Sequence, residues 1–305
     1  MKKRLIQPAS LGESAYRIIC YVIPTLFALL CLYPLCQIFF VSLVSKAEWS
    51  QNNGLVLGLP LNPTLAAYEK VLKSNPYILK SLGVSVVRTL LSTIGGVILA
   101  AILGYILSRK NLPGKGIISG LVVFSIFFNG GLIPNFLTVN ALQIRNTIWA
   151  LVLPGLLNTW YALIFKQFFE AIPEEVEEAA LIDGVTELQL FSRIVLPMSM
   201  PVVASISLFT IVNSWNSWFD AMVYIDSLHS DLWPLQYYVT ITFNNLTQID
   251  QSSMSDLMEI IGTNRDVPEI ATKMALTIIS IFPVLCTFPF FQKYFTKGVY
   301  MGSVK

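Results

Sequence analysis

Charge is what this sequence has least of: Asp, Glu, Lys and Arg make up 12% of its 305 residues, against roughly 25% in an ordinary soluble domain. That is too little to coat a soluble surface, and with 54% hydrophobic residues and a mean hydropathy of +0.65 the chain reads as a polytopic membrane protein. A net charge of +2 leaves no electrostatic footprint for nucleic acid or an acidic ligand. The single histidine, His229, has no apparent acid-base partner and receives no role. Cys20, Cys31, Cys36 and Cys286 all fall inside apolar runs, with no CxxC pair and no zinc-chelating spacing. They read as small buried hydrophobes, and neither a metal site nor a catalytic group is expected. A GxxxxGK[ST] phosphate loop is also missing, so the chain is expected to bind no cofactor and to be unable to use ATP by itself.

Long apolar runs are what the sequence has in excess. The first extends from Ile18 to Ser45, 28 residues behind Lys2, Lys3 and Arg4. A secretory signal core takes roughly 7 to 15 residues, so this run reads as a retained transmembrane helix. At about 20 residues per crossing, six segments qualify: 18–45, 82–108, 116–142, 147–169, 200–226 and 273–293. They predict an all-α fold and one membrane domain over residues 1–305, without internal repeat, low-complexity tract or second soluble domain. Placing both termini in the cytoplasm puts twelve Lys and Arg residues inside and seven outside, with Arg88 within the second span. That asymmetry favours the N-in orientation in a cell membrane. It gives outer loops at 46–81 and 227–272 and one sizeable inner loop at 170–199.

The inner loop breaks the rule of scarce charge. Residues 170 to 193 hold seven of the 18 acids: Glu170, Glu174, Glu175, Glu177, Glu178, Asp183 and Glu187. Such a stretch cannot lie in lipid. Pro173 suits a first helical position, Glu174 and Glu175 complement the positive helix end, and Gly184 suits a left-handed stop. Thr186 and Gln189 match a capping box that opens a second helix, which Pro197 ends or kinks before the fifth span. On the first helix Val176, Ala179, Ala180 and Asp183 share a face; on the second Leu188, Phe191 and Val195 form an apolar stripe. Spacing alone fits an amphipathic pair lying on the membrane or its own bundle as well as it fits a partner's contact.

Glu178-Ala179-Ala180, three residues, Gly184, nine residues, Ile194, one residue and Leu196-Pro197 resemble the EAA loop of permease subunits in binding-protein-dependent ABC importers. At roughly 7% usage per residue type, seven fixed positions arise by chance on the order of once in 10⁸ placements. "NGGLIP" at 129–134, "KQFFEAIP" at 166–173, "WNSWFDA" at 215–221 and the ending "QKYFTKGVYMGSVK" are similar to sugar permeases of the maltose-transporter kind, and among them to the oligosaccharide permeases common in Gram-positive bacteria. Lys80-Ser81 stands where those carry Asn-Ser. The resemblance implies a carbohydrate substrate and an extracellular solute-binding protein. It also implies a second related permease forming a heterodimer, and cytoplasmic ABC ATPases that carry the ATP and Mg. It assigns Glu178 the polar ATPase contact, Ala179 and Ala180 a close-packing face, Asp183-Gly184 the turn, and the stretch ending at Pro197 the lever into the fifth span.

A substrate path is sought among polar groups inside spans. Thr210, Asn213, Asn216, Ser217 and Asp220 fall within about 120° on one helix, with Trp215 and Trp218 pointing away. The third span is interrupted at Asn129-Gly130-Gly131 with Pro134, the fourth at Pro154-Gly155 before Asn158 and Thr159. Such interruptions mark substrate sites in transporters, or hinges and kinks; the polar groups line a cavity or glue helices together. Arg88 could pair with Asp220, but a place near the outer end of its span favours snorkelling to the interface. The 227–272 loop reads as a docking face for the binding protein or a packed cap, and the basic tail as an ATPase contact or a topological anchor. A secondary transporter, a non-sugar importer and a membrane enzyme are the competing classes. A secondary carrier should show repeated halves and a deep ionisable residue, and an enzyme a convergent His, Cys or acid cluster.

Overall fold

A computed structural model describes residues 11–73, 76–244 and 267–301, and among these every regular element is a helix. Three helices are long and apolar enough to cross a membrane unaided: Tyr16–Ser42, Tyr77–Ser108 and Glu269–Tyr294. Three more crossings are helix pairs bent by 111°, 50° and 80° at short breaks: Lys115–Phe127 with Leu132–Ala141, Ile148–Gly155 with Thr159–Glu170, and Glu187–Met198 with Met200–Asn216. The six expected spans are thus present as three straight and three broken ones. The third and fourth break where the glycines and prolines predicted. The fifth departs from expectation: its helix stops at Asn216 instead of running to 226, and a short helix, Phe219–Tyr224, follows.

Contacts divide the chain into two compact units. One comprises Met1–Ser74 and Asp256–Ile278 and holds α1 (Leu11–Ser42), α2 (Lys46–Gln51), α3 (Ala66–Lys73) and the start of the last helix, α15 (Glu269–Met301). Ser45 caps α2 by accepting from the Glu48 backbone N–H. The Glu48 carboxylate in turn accepts from the Leu61 and Asn62 backbone N–H groups at 2.9 and 3.4 Å, closing the loop that follows. Lys70 is buried, which pushes its ammonium below the usual lysine range, with Glu269 opposing the shift. From Tyr16 to Cys36 every residue of α1 is exposed, Cys20, Cys31 and Cys36 included, and Cys286 is exposed on α15. The expectation of buried cysteines is therefore wrong: a helix apolar on all sides satisfies itself against lipid as well as against protein.

The second unit comprises Asn75–Ser255 and Ile279–Lys305, built around α4 (Pro76–Ser108), α8 (Thr159–Glu170) and α12 (Met200–Asn216). Its core packs Ala100, Ala162, Phe165, Leu190, Val195 and Ile206, each at most 1% exposed. Glycine lets these backbones meet. A Cβ at Gly104 would lie 2.6 Å from the Phe165 Cβ and 2.7 Å from the Ala162 carbonyl oxygen. Hydrocarbon gives helices no hydrophobic reason to associate, so close van der Waals approach at small residues does that work.

Gly104→Ala should therefore lower stability by about 1–3 kcal/mol through overpacking, seen as a lower thermal midpoint of the detergent-solubilised protein. Gly120→Ala, where an added Cβ meets nothing within 4 Å, should leave the midpoint unchanged. Equal midpoints for the two variants would contradict the packing described.

Candidate functional site

The acidic loop folds as two helices around one turn. α9 (Glu174–Ile182) starts after Pro173, which is its N-cap and not its first helical residue. At its end Gly184 sits at φ +76°, where a β-carbon is disfavoured. The Gly184 N–H donates to the Leu181 carbonyl at 3.0 Å and the Val185 N–H to the Ala180 carbonyl at 3.2 Å. This is the double bond pattern of a left-handed helix stop. The predicted capping box is present: Thr186 Oγ1 accepts from the Gln189 N–H at 3.4 Å, and Gln189 Oε1 from the Thr186 N–H at 3.0 Å. α10 (Glu187–Leu190) passes through a π turn at Phe191–Val195 and α11 (Leu196–Met198) into the 80° bend before α12. Pro197, which has no N–H to donate, stands at the start of α11.

The structure divides residues that the sequence grouped. Ala180 is 6% exposed and packs into the core with Phe165, Phe169, Leu190 and Val195, whereas Glu178, Ala179 and Asp183 are exposed. Neighbours on a helix point about 100° apart, so Ala179 and Ala180 cannot serve one contact equally. The stripe on the second helix splits as well: Val195 is buried, Phe191 is half-buried, and Leu188 is 75% exposed. Leu188 and Ile182, the latter 86% exposed, place two large apolar side chains on either side of the Gly184 turn.

A basic segment holds the opposite side. Arg109 pairs with Glu177 and lies over the Tyr105 ring, 4.0 Å from its centre. Tyr105 donates to Glu187 Oε2 at 2.7 Å, Lys110 pairs with Glu174 at 2.5 Å, and Lys115 with Glu170 at 3.5 Å. The Glu174 hydrogen bond and charge hold the Lys110 ammonium above its usual range. Sequence reasoning used these cations only to orient the chain. The available signal was the imbalance itself: seven acids in one loop need partners, and residues 109–115 hold three nearby cations.

The three broken spans meet at a cavity of about 490 Å³ in the second unit, lined by Ser92, Asn129, Asn135, Pro154, Gly155, Thr210, Asn213 and Asp220 among others. Asn129 and Pro154 bring the breaks after α5 (Lys115–Phe127) and α7 (Ile148–Val152), and Thr210 and Asn213 come from α12. Asn216 and Asn158 stand apart from this lining. Asn216 accepts from the Gln236 side chain at 3.1 Å, and Asn158 caps α8 by accepting from the Trp160 and Tyr161 N–H groups. Trp215 is buried, donating to the Ser280 carbonyl at 2.9 Å, away from the cavity as expected.

Arg88 does not snorkel. It is 3% exposed, pairs with Asp220 and donates to the Ser217 carbonyl at 2.8 Å. Ser217 is extended (φ −73°, ψ 120°), and a buried guanidinium that takes its carbonyl explains why the helix stops there. Across the next connection Arg145 pairs with Asp226 at 2.5 Å and Asn146 donates to the same carboxylate at 2.8 Å. Among the described residues no three His, Cys, Asp or Glu side chains converge as a metal site.

If Arg109 fixes α9 from behind, Arg109→Glu should lower the thermal midpoint by the equivalent of about 1.5–3 kcal/mol, and Arg109→Glu with Glu177→Arg should recover most of it. Failure of the double variant to recover would show that the pair does not hold the loop.

Residues 92–219, which include most of the cavity lining and the whole acidic loop, match the family described as "Binding-protein-dependent transport system inner membrane component". The chain is 37% identical over 280 residues to the polygalacturonan/rhamnogalacturonan transport system permease protein YtcP of Bacillus subtilis (strain 168), covering 92% of this chain and 94% of that one. It is 38% identical over 275 residues to Protein LplC of the same organism, covering 89% and 88%. A chain of a solved bacterial ABC transporter involved in the import of the acidic polysaccharide alginate matches with a TM-score of 0.82 and 28% identity, over 94% of this chain and 99% of that one. With six crossings, a resolved EAA loop and this likeness along nearly its whole length, the chain belongs to the binding-protein-dependent transport system inner membrane components, the membrane-spanning permease subunits of ABC importers.

Proposed function

We propose that this chain carries an oligosaccharide across the membrane, with ATP and Mg held by separate cytoplasmic ATPases that dock on residues 170–199. The observation that carries the reading is the two-sided loop. Glu177, Glu174 and Glu170 are tied to Arg109, Lys110 and Lys115 on one side, while Ala179, Ile182 and Leu188 stand exposed on the other. A partner that closes on this face pushes a braced lever, because α10 and α11 run directly into the bent fifth span. Glu178 and Asp183 rim the contact, Gly184 sets the angle of its turn, and Pro197 lies on the lever. Both termini then face the cytoplasm, as the Lys and Arg asymmetry favours.

Uncharged amides and hydroxyls dominate the polar lining of the cavity, which suits a hydroxyl-rich solute. The carbohydrate names of the relatives support the same class. Asn129 and Asn213 are the lining amides placed on the path; Asn216 and Asn158 support neighbouring segments instead. An extracellular binding protein delivers the sugar, and a second, related permease completes the pathway. The lipid-like exposure of α1 offers surface for that partner or for lipid.

Ile182→Asp should sharply reduce ATPase copurification and ATP-dependent sugar uptake while leaving membrane insertion and thermal midpoint unchanged, since the side chain has almost no contact to lose. Ala180→Asp should instead destabilise the subunit itself, because it buries a charge in the core. Undiminished ATPase copurification and uptake in Ile182→Asp would overturn the docking assignment.

A further inference from the structure

Both residues of the ion pair line the cavity, but they are unequally open to it. The Asp220 side chain is 29% exposed and that of Arg88 4%, and Arg88 Nε is shut away from solvent. A molecule in the cavity therefore meets mainly the carboxylate, the guanidinium being the more deeply buried of the two. Asp220 Oδ1 accepts from the Ser217 hydroxyl at 2.6 Å and Oδ2 accepts from Arg88. Each carboxylate oxygen keeps a further lone pair for a donor. The polar residues around it, Ser92, Asn129, Asn135, Thr210 and Asn213, carry no charge.

This arrangement distinguishes two kinds of sugar. Two adjacent ring hydroxyls can each donate to one carboxylate oxygen, a charge-assisted pair of hydrogen bonds. A uronate carboxylate only accepts, and would approach a like charge more closely than the cation behind it; Coulomb energy falls with distance, so repulsion wins. We propose that Asp220 is the specificity-determining residue of the cavity, taking the hydroxyls of a neutral sugar unit and disfavouring a uronate, with Arg88 as the positioning residue that holds the carboxylate in place. The proposal rests on the oligosaccharide reading above. It departs from the acidic polymers named for two of the relatives.

The test is saturation-transfer NMR on the complete transporter complex in nanodiscs, without binding protein, using α-1,4-linked galactotriose and α-1,4-linked trigalacturonate, which differ only at C6 of each ring. The neutral trisaccharide should bind wild type about tenfold more tightly, the scale of a near like charge partly offset by a farther opposite one at protein dielectric. Asp220→Asn, which leaves Arg88 uncompensated, should close or reverse that gap. Arg88→Gln/Asp220→Asn keeps a neutral hydrogen-bonded pair, should the single variant fail to fold, and should bring the ratio near one. Wild type binding trigalacturonate as well or better, or a folded variant keeping the wild-type ratio, overturns the proposal while leaving the oligosaccharide reading intact. Binding of neither trisaccharide by wild type overturns both.

Discussion

Inside hydrocarbon no water answers a freed backbone group, so a helix can break there only where something else supplies the missing hydrogen bond. Two of the three bent crossings and the end of α12 follow that rule. Asn129 accepts from the Gly131 N–H at 3.0 Å, Asn158 from the N–H groups that open α8, and Arg88 takes the carbonyl of Ser217. Asn129 and Arg88, two of these side chains, also line the polar interior of the second unit. The cavity lies where the breaks of the third and fourth crossings face α12 and the segment after it.

The same economy of charge shapes the loop. A chain with 12% charged residues concentrates acids in one segment and meets them with cations from one neighbouring connection. Individually the exposed pairs contribute little. Arg109 contributes more, because it combines a partly buried pair with a ring contact. On the proposed reading, rigidity on the charged side is what makes the apolar side useful, since a face that moved freely on its own bundle would transmit nothing to α12.

Much of this was legible because it depends on local chemistry. The capping box, the glycine stop and the breaks in the third and fourth spans follow from residues a few positions apart. What escaped depends on distant residues. That Ala180 faces home and Ile182 faces out is decided by Phe165 and Phe169 on α8. The stop at Asn216 is decided by Arg88, 129 residues away from Ser217. The cysteines misled because an apolar residue in a membrane helix has two possible apolar surroundings, protein and lipid, and the sequence does not say which. The third and fourth breaks announce themselves by Gly and Pro, and the bend of the fifth at Ser199 by Pro197 and Pro201, whereas the end of α12 at Asn216 is set by a long-range hydrogen bond and carries no such mark.

On the proposed reading, the braced loop offers its exposed side to an ATPase. A photo-crosslinking amino acid at Ile182, in cells that assemble the whole transporter, tests it most directly. An adduct of the mass expected for this chain plus an ATPase subunit, absent when the crosslinker replaces Lys115 on the braced side, is the predicted result. Adducts at Ile182 with lipid or with this chain alone would contradict it.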